Sequence, residues 1–346
     1  MGYETPSIRG VVANWCRRDC EMQNNGTILK VTNLKTRFFA RRGVVRAVDG
    51  VNFALKRGEC LCLVGESGCG KSVTALSILG LIESLQGRVV DGEVMYHNLD
   101  LLKSSPEELR RIRGREIAMI FQDAQSALNP VFTVGEQIIE QVKLHLKMGK
   151  KEAKNRAITL LREVGIPSAE RAMDSYPHQL SGGMRQRAMI AMSLSCDPQI
   201  LIADEPTTAV DVTVRAQILD LFNELKRNRE MSLIFITHDL GVVSEIGDRA
   251  VIVYAGKDVE TAPVSQIIGS PKHPYTVGLL DCLPDFAKVV DRLPSIPGAT
   301  PDPTAPPSGC PFHPRCAHVM DICRQQEPKQ VVISVGHSVS CHLYNG

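Results

Sequence analysis

Gly65-Glu66-Ser67-Gly68-Cys69-Gly70-Lys71-Ser72 lies between the apolar run ECLCLV and the helix-forming run VTALSILGLI. Glycines in a strand–loop–helix setting let the backbone curl until several N–H groups converge on an anion at a helix N-terminus. That is the chemistry of a phosphate cradle. Lys71 can then neutralise the β- and γ-phosphates, and Ser72 can offer its hydroxyl to magnesium. A second apolar run, Ile200-Leu201-Ile202-Ala203, delivers Asp204 and Glu205 side by side. Adjacent carboxylates at the end of a buried strand repel one another and lose solvation, so they call for a cation. Magnesium beside the phosphate loop supplies one. The pair can divide the work, Asp204 linked to the metal and Glu205 activating water.

Four weaker signals accompany these. Leu180-Ser181-Gly182-Gly183-Met184-Arg185-Gln186-Arg187 precedes a helical pattern and can form another anion-binding nest, although Ser-Gly-Gly read alone is an ordinary helix cap. Gln122 follows the apolar run EIAMIF, and His238 ends the run SLIFIT, where an isolated histidine is more often a packing or surface residue. Asp211 ends Thr207-Thr208-Ala209-Val210-Asp211.

The elements that must hold these groups are short and apolar. ECLCLVG, EIAMIFQ, QILIADE and SLIFITH read as strands buried on both faces, alternating with helical patterns, which predicts an α/β fold on a largely parallel sheet. Between Phe121 and about Gln199 the runs TVGEQIIEQVKLHLKM and KEAKNRAITLLREVGI predict an inserted helical subdomain. The expected division is an N-terminal extension over 1–27 and a main domain over 28–283, with its helical part at about 123–197. A linker over 284–308 carries Pro294, Pro297, Pro301, Pro303, Pro306 and Pro307, and a cysteine-rich module covers 309–346.

Composition narrows the partners. A formal charge of +2 over 346 residues gives no global attraction to nucleic acid. No stretch approaches the roughly 20 apolar residues of a membrane span, and the N-terminal residues lack an apolar signal core. The chain is expected in the cytoplasm, serving any membrane process by docking on other chains. Among eleven cysteines, Cys60, Cys62 and Cys69 sit in or beside an apolar strand and read as packing residues. Cys310, Cys316, Cys323 and Cys341 crowd a tail with little apolar material. They have the number and softness of ligands for zinc or for an iron–sulfur cluster. Spacing selects neither; His313, His318, His337 and His342 keep a mixed zinc site open, and free thiols are a third reading.

Taken together, these motifs resemble the ABC ATPases. The segments DAQSALNPVFTVGEQI, SPKHPYTVGLLDCLPD and GCPFHPRCAHVMDIC, with Cys341, resemble the dipeptide, oligopeptide and nickel importer branch. The resemblance runs from about Ile28 to Cys341. It implies a P-loop ABC ATPase domain with a RecA-like parallel core, an antiparallel β subdomain, the helical insertion and a small cysteine-rich C-terminal module. By the same resemblance, ATP binds at Gly65 to Ser72, with an aromatic, Phe39 or Phe38, stacked on adenine. Magnesium is held through Ser72, Gln122 and Asp204, and Glu205, His238 and Gln122 are the catalytic groups. Ser181, Gly182, Gly183 and Asp211 are expected to reach ATP held by a second ATP-binding subunit, the same chain or a related one. Cys310, Cys316, Cys323 and Cys341 are expected to carry a [4Fe-4S] cluster.

The implied function is an ATPase on the cytoplasmic face of the cell membrane. It would drive import of di- or oligopeptides, or a related solute, through two permease subunits served by an extracytoplasmic solute-binding protein, with no nucleic acid partner. Ala124-Gln125 and Val210 depart from the usual Pro-Met and Leu of the branch. The competing reading is a soluble ABC ATPase of iron–sulfur assembly or nucleic-acid repair. The chain lacks the long coiled coils of repair ATPases.

Overall fold

The computed structural model describes residues 26–41, 43–123, 127–208, 211–283 and 295–345. Most of the expected N-terminal extension, Ala124-Gln125, Val210 and the first part of the linker including Pro294 lie outside them. In chain order the strands are β1 (Thr27–Ala40), β2 (Gly43–Lys56), β3 (Cys60–Val64), β4 (Gly87–Tyr96), β5 (Leu99–Asp100), β6 (Ile117–Ile120), β7 (Ile200–Asp204), β8 (Ser232–Thr237), β9 (Arg249–Tyr254), β10 (Lys257–Pro263), β11 (Gln330–Ser334) and β12 (His337–Ser340). The helices used below are α1 (Lys71–Ile78), α2 (Val134–Leu146), α3 (Lys150–Glu163), α4 (Ala169–Met173), α5 (Gly182–Ser193), α6 (Val212–Arg229), α7 (Leu240–Ile246) and α8 (Pro274–Asp281).

Two sheets form among the described residues. One is antiparallel in the order β2-β1-β4-β5, and the other is mixed in the order β11-β12-β10-β9-β3-β8-β7-β6. Strands β9, β3, β8, β7 and β6 run parallel, and every residue of β3, β6, β7 and β8 is buried. Alternate side chains of one strand enter opposite layers. Cys60, Cys62, Leu201, Ala203, Leu233 and Phe235 join the helices on one face, whereas Leu61, Leu63, Ile200, Ile202, Ile234 and Ile236 pack toward the antiparallel sheet and α1 on the other. This explains the unbroken apolar runs: with both faces covered, polar residues are confined to the strand ends, Asp204 in β7 and Ser232 and Thr237 in β8. Each such aliphatic side chain contributes about 1.5–3 kcal/mol when fully buried.

Helices α2 to α5 lie between β6 and β7 in sequence and share one core through Ile138, Val142, Ala157, Leu161, Met173 and Met189. A reciprocal cap starts α2: Thr133 Oγ1 accepts from the Glu136 N–H, and Glu136 Oε2 accepts from the Thr133 N–H. The segment read from the sequence as a distinct C-terminal module adds its strands to the edge of the main sheet. Val339 of β12 pairs with Glu260 of β10, while Cys310, Phe312 and Cys323 join the larger core. Cys60, Cys62 and Cys69 are buried free thiols, in keeping with their reading as packing residues. Among the described residues no helix is long and apolar enough to cross a membrane.

Candidate nucleotide site

Four parallel strands in register end along one edge of the sheet, and each presents one part of the site. The glycine-rich loop follows β3, Gln122 follows β6, Asp204 and Glu205 close β7, and His238 follows β8. Ligands of open α/β sheets bind at such carboxyl ends because the loops there converge. Gly70 caps α1 at φ 102°, and a Cβ there would stand 2.3 Å from the Ala47 carbonyl oxygen. Only glycine therefore lets the loop pass under β2 and turn into the helix. Lys71 is 4 % exposed, and its Nζ donates to the carbonyl oxygens of Gly65 at 2.7 Å and Glu66 at 2.9 Å. Its cation thus spans the loop that its own sequence forms.

Ser72 Oγ donates to Asp204 Oδ1 at 3.0 Å. Burial raises the Asp204 pKa, the Glu205 charge raises it further, and the Ser72 hydrogen bond and Lys71 act in the opposite direction. A desolvated carboxylate against a hydroxyl at the mouth of a phosphate loop is a donor set that fits magnesium. When bound, that ion would offset the phosphate charge and the carboxylate pair. Glu205 has a positive φ of 45°, a strained setting for a residue with a side chain, and its carboxylate is held from three sides. Thr208 Oγ1 donates to Oε2 at 2.9 Å, Gln122 Nε2 approaches the same oxygen at 3.4 Å, and His238 Nδ1 lies 3.2 Å from Oε1. The structure therefore pairs Ser72 with Asp204 and gathers Gln122, Thr208 and His238 on the adjacent Glu205, while Lys71 is held by its own loop.

Ser181, Gly182 and Gly183, the signature of the ABC resemblance, stand apart from these groups. Ser181 caps α5 by accepting from the Met184 N–H at 3.3 Å, and Ser181 and Gly182 are exposed. A Cβ on Gly183 would meet Val214 Cγ1 at 3.3 Å, so the signature sits against the start of α6. Asp211 caps that helix, its Oδ1 accepting from the Val214 N–H at 2.8 Å. Arg215 of α6 pairs with Asp239 at 3.0 Å, tying the helix of Asp211 to the loop of His238. Of the two adjacent phenylalanines, Phe38 packs against Gly87, while Phe39 is 55 % exposed and available for stacking. Thr208 and the Arg215–Asp239 pair carry no sequence signal of their own. Their roles follow from which loops meet.

The four C-terminal cysteines line one cavity together with His273, His313, His318 and His342. Crowding among the thiols and burial push the Cys310 pKa up to about 11, burial being the larger cause. Among the described residues, however, no three His, Cys, Asp or Glu side chains converge as ligands of one ion. Three of the histidines considered for a mixed zinc site each spend one ring nitrogen on a protein oxygen and keep the other. His337 Nε2 pairs with Glu260 at 2.8 Å, His342 Nε2 with the Gln326 carbonyl at 2.9 Å and His313 Nδ1 with the Cys310 carbonyl at 2.9 Å.

A phosphate loop on a parallel strand, a buried carboxylate pair and a capped Ser-Gly-Gly helix define an ATP-hydrolysing ABC cassette. Residues 48–208 match the ABC transporter family, and residues 259–323 match the oligopeptide/dipeptide transporter C-terminal region. The chain is 49 % identical over 318 residues to the oligopeptide transport ATP-binding protein AppD of Bacillus subtilis, covering 92 % of this chain and 97 % of AppD. It is 46 % identical to the dipeptide transport ATP-binding protein DppD of Escherichia coli over 315 residues, 91 % of this chain and 96 % of DppD. Its fold matches a dimeric structure of MJ0796, a bacterial ABC transporter cassette, with a TM-score of 0.61 and 28 % identity, covering 68 % of this chain and 98 % of that one. The chain belongs to the ATP-binding proteins of the oligopeptide/dipeptide ABC transporters, and it is an ATPase.

Proposed function

We propose that this chain drives uptake of di- or oligopeptides by hydrolysing ATP at the edge formed by β3, β6, β7 and β8. The observation that carries the reading is Glu205, fixed by Thr208, His238 and Gln122 beside the Ser72–Asp204 pair. Glu205 accepts a proton from water as its oxygen attacks the γ-phosphorus, and the bond between that phosphorus and the β,γ-bridging oxygen breaks to leave ADP. Lys71 and the N-terminus of α1 stabilise the phosphate charge. Phe39 stacks on adenine. Ser181, Gly182, Gly183 and Asp211 reach ATP held by a second cassette; the exposure of Ser181, Gly182 and Asp211 and the dimeric form of the related MJ0796 structure support this. Peptide cargo is supported by the names of AppD and DppD, which also favour transport over a soluble ATPase. Permease subunits, a solute-binding protein and a place at the cytoplasmic membrane face follow from the same reading.

The proposed division remains 1–27, 28–283 with helices at about 123–197, 284–308 and 309–346. Cys310, Cys316, Cys323 and Cys341 hold a [4Fe-4S] cluster in this reading. Four thiols lining one cavity are the observation behind this reading. The test is to purify the chain with its permease subunits in lipid and assay hydrolysis with solute-binding protein and peptides. Peptide-stimulated hydrolysis and about four iron atoms per chain are expected. Hydrolysis indifferent to permease and peptide would overturn the transport role, and a zinc-only preparation would overturn the cluster.

A further inference from the structure

Glu66 places an acid inside a loop whose task is to attract a polyanion. Its charge is met from the other end of the chain. Arg315, 249 residues away and one position before Cys316, donates from Nη1 to Glu66 Oε2 at 2.7 Å and from Nη2 to Oε1 at 3.0 Å. This parallel two-bond geometry is the strong form of an arginine–carboxylate pair. The other contacts of Arg315 fix its fork: Nε to the Pro297 carbonyl at 2.9 Å, Nη2 to the Ile296 carbonyl at 3.3 Å and Nη1 to the Tyr254 hydroxyl at 3.4 Å. The Arg315 side chain is 4 % exposed and that of Glu66 is 29 % exposed. The main chain of Glu66 is gripped as well, its N–H donating to the hydroxyl of Tyr275 in α8 at 2.8 Å.

We propose that Arg315 is a positioning residue for ATP binding: it neutralises and orients Glu66, so that the affinity of the phosphate loop depends on the C-terminal segment carrying Arg315. The inference rests on residues 65–72 being the phosphate cradle. Loss of the guanidinium leaves a bare carboxylate beside the incoming phosphates, which repels them and frees the loop. Loss of the carboxylate instead leaves an extra cation beside them. The two substitutions therefore act in opposite directions, whereas a purely structural bridge would be weakened by either.

The test measures binding of a non-hydrolysable ATP analogue with magnesium to the full chain, together with steady-state hydrolysis and thermal melting. Arg315→Ala is expected to weaken binding roughly ten-fold, raising KM for ATP while kcat at saturation is kept. Arg315→Lys, which keeps the charge but not the fork, falls between. Adding Glu66→Gln to Arg315→Ala restores affinity. Glu66→Gln alone tightens binding about three-fold at low salt, and the gain fades as salt is added. That variant carries the test by itself if Arg315→Ala does not fold. Unchanged or weaker binding by Glu66→Gln, or lower melting of Arg315→Ala with unaltered affinity, overturns the proposal. Lys71→Ala separates the two levels. If wild type binds no better than Lys71→Ala, the phosphate-cradle reading falls; if it does bind better and the Arg315 and Glu66 variants match wild type, only the role of Arg315 falls.

Discussion

Glu205→Gln is expected to lower the ATPase kcat by about 10²–10⁴-fold while ATP still binds. The amide keeps the size of the carboxylate but cannot take the proton of the attacking water. It can still meet its neighbours, which is why binding is kept. Thr208 Oγ1 and Gln122 Nε2 both point toward Oε2, and His238 Nδ1 faces Oε1. A glutamine can offer an acceptor to one side and N–H groups to the other. Single-turnover hydrolysis beside an equilibrium binding assay separates the steps. Hydrolysis within ten-fold of wild type would move the base elsewhere, His238 being the nearest candidate. Strong binding with lost hydrolysis would also trap the ATP-bound pair of cassettes, visible as a change in mass in solution.

Asp204→Asn carries the second large effect, and its two consequences have opposite signs. Activity should fall by orders of magnitude, because in the proposed mechanism the buried carboxylate beside Ser72 would be the anionic ligand for magnesium at this edge. Stability without nucleotide should rise. Burial, chiefly, raises the Asp204 pKa, so ionising it costs more in the folded chain than in the unfolded chain. The folded state therefore holds the Asp204 proton more tightly. This contribution to stability is greatest below the unfolded aspartate value of about 3.9 and is lost as pH rises through the folded value. Wherever Asp204 is ionised in the folded chain the penalty is present, and asparagine removes it. The variant should melt higher than wild type near pH 7, by about 2–4 °C for each kcal/mol regained, and the difference should shrink as pH falls toward 4. Melting below wild type at neutral pH would show that the carboxylate is stabilised by its surroundings even without the metal.

Much of the site was legible because its chemistry depends on neighbours in sequence. A phosphate loop needs glycines at close spacing between a strand and a helix, and residues 65–72 meet that need within one continuous segment. The β7 carboxylates were legible for a related reason: an apolar run ending in two acids is unusual enough to require a cation. Which of Phe38 and Phe39 is left uncovered was less so, since the two are equivalent in composition and only packing against Gly87 distinguishes them. The C-terminal segment was legible as a crowding of cysteines but not as part of the sheet. Its strands are short, and β11 alternates exposed and half-buried positions with none fully buried.

The sequence by itself determined the local chemistry: the phosphate loop, the acid pair, the capped Ser-Gly-Gly helix and the apolar strands that place them. These are settled by backbone freedom and by periodic burial, which act over a few residues. Only the tertiary structure decided which distant side chains complete one another. Thr208 and His238 meet on Glu205, Arg215 meets Asp239, and Arg315 meets Glu66 from 249 residues away. A charge is satisfied by whatever lies within about 4 Å in space, and separation along the chain leaves no trace of that distance.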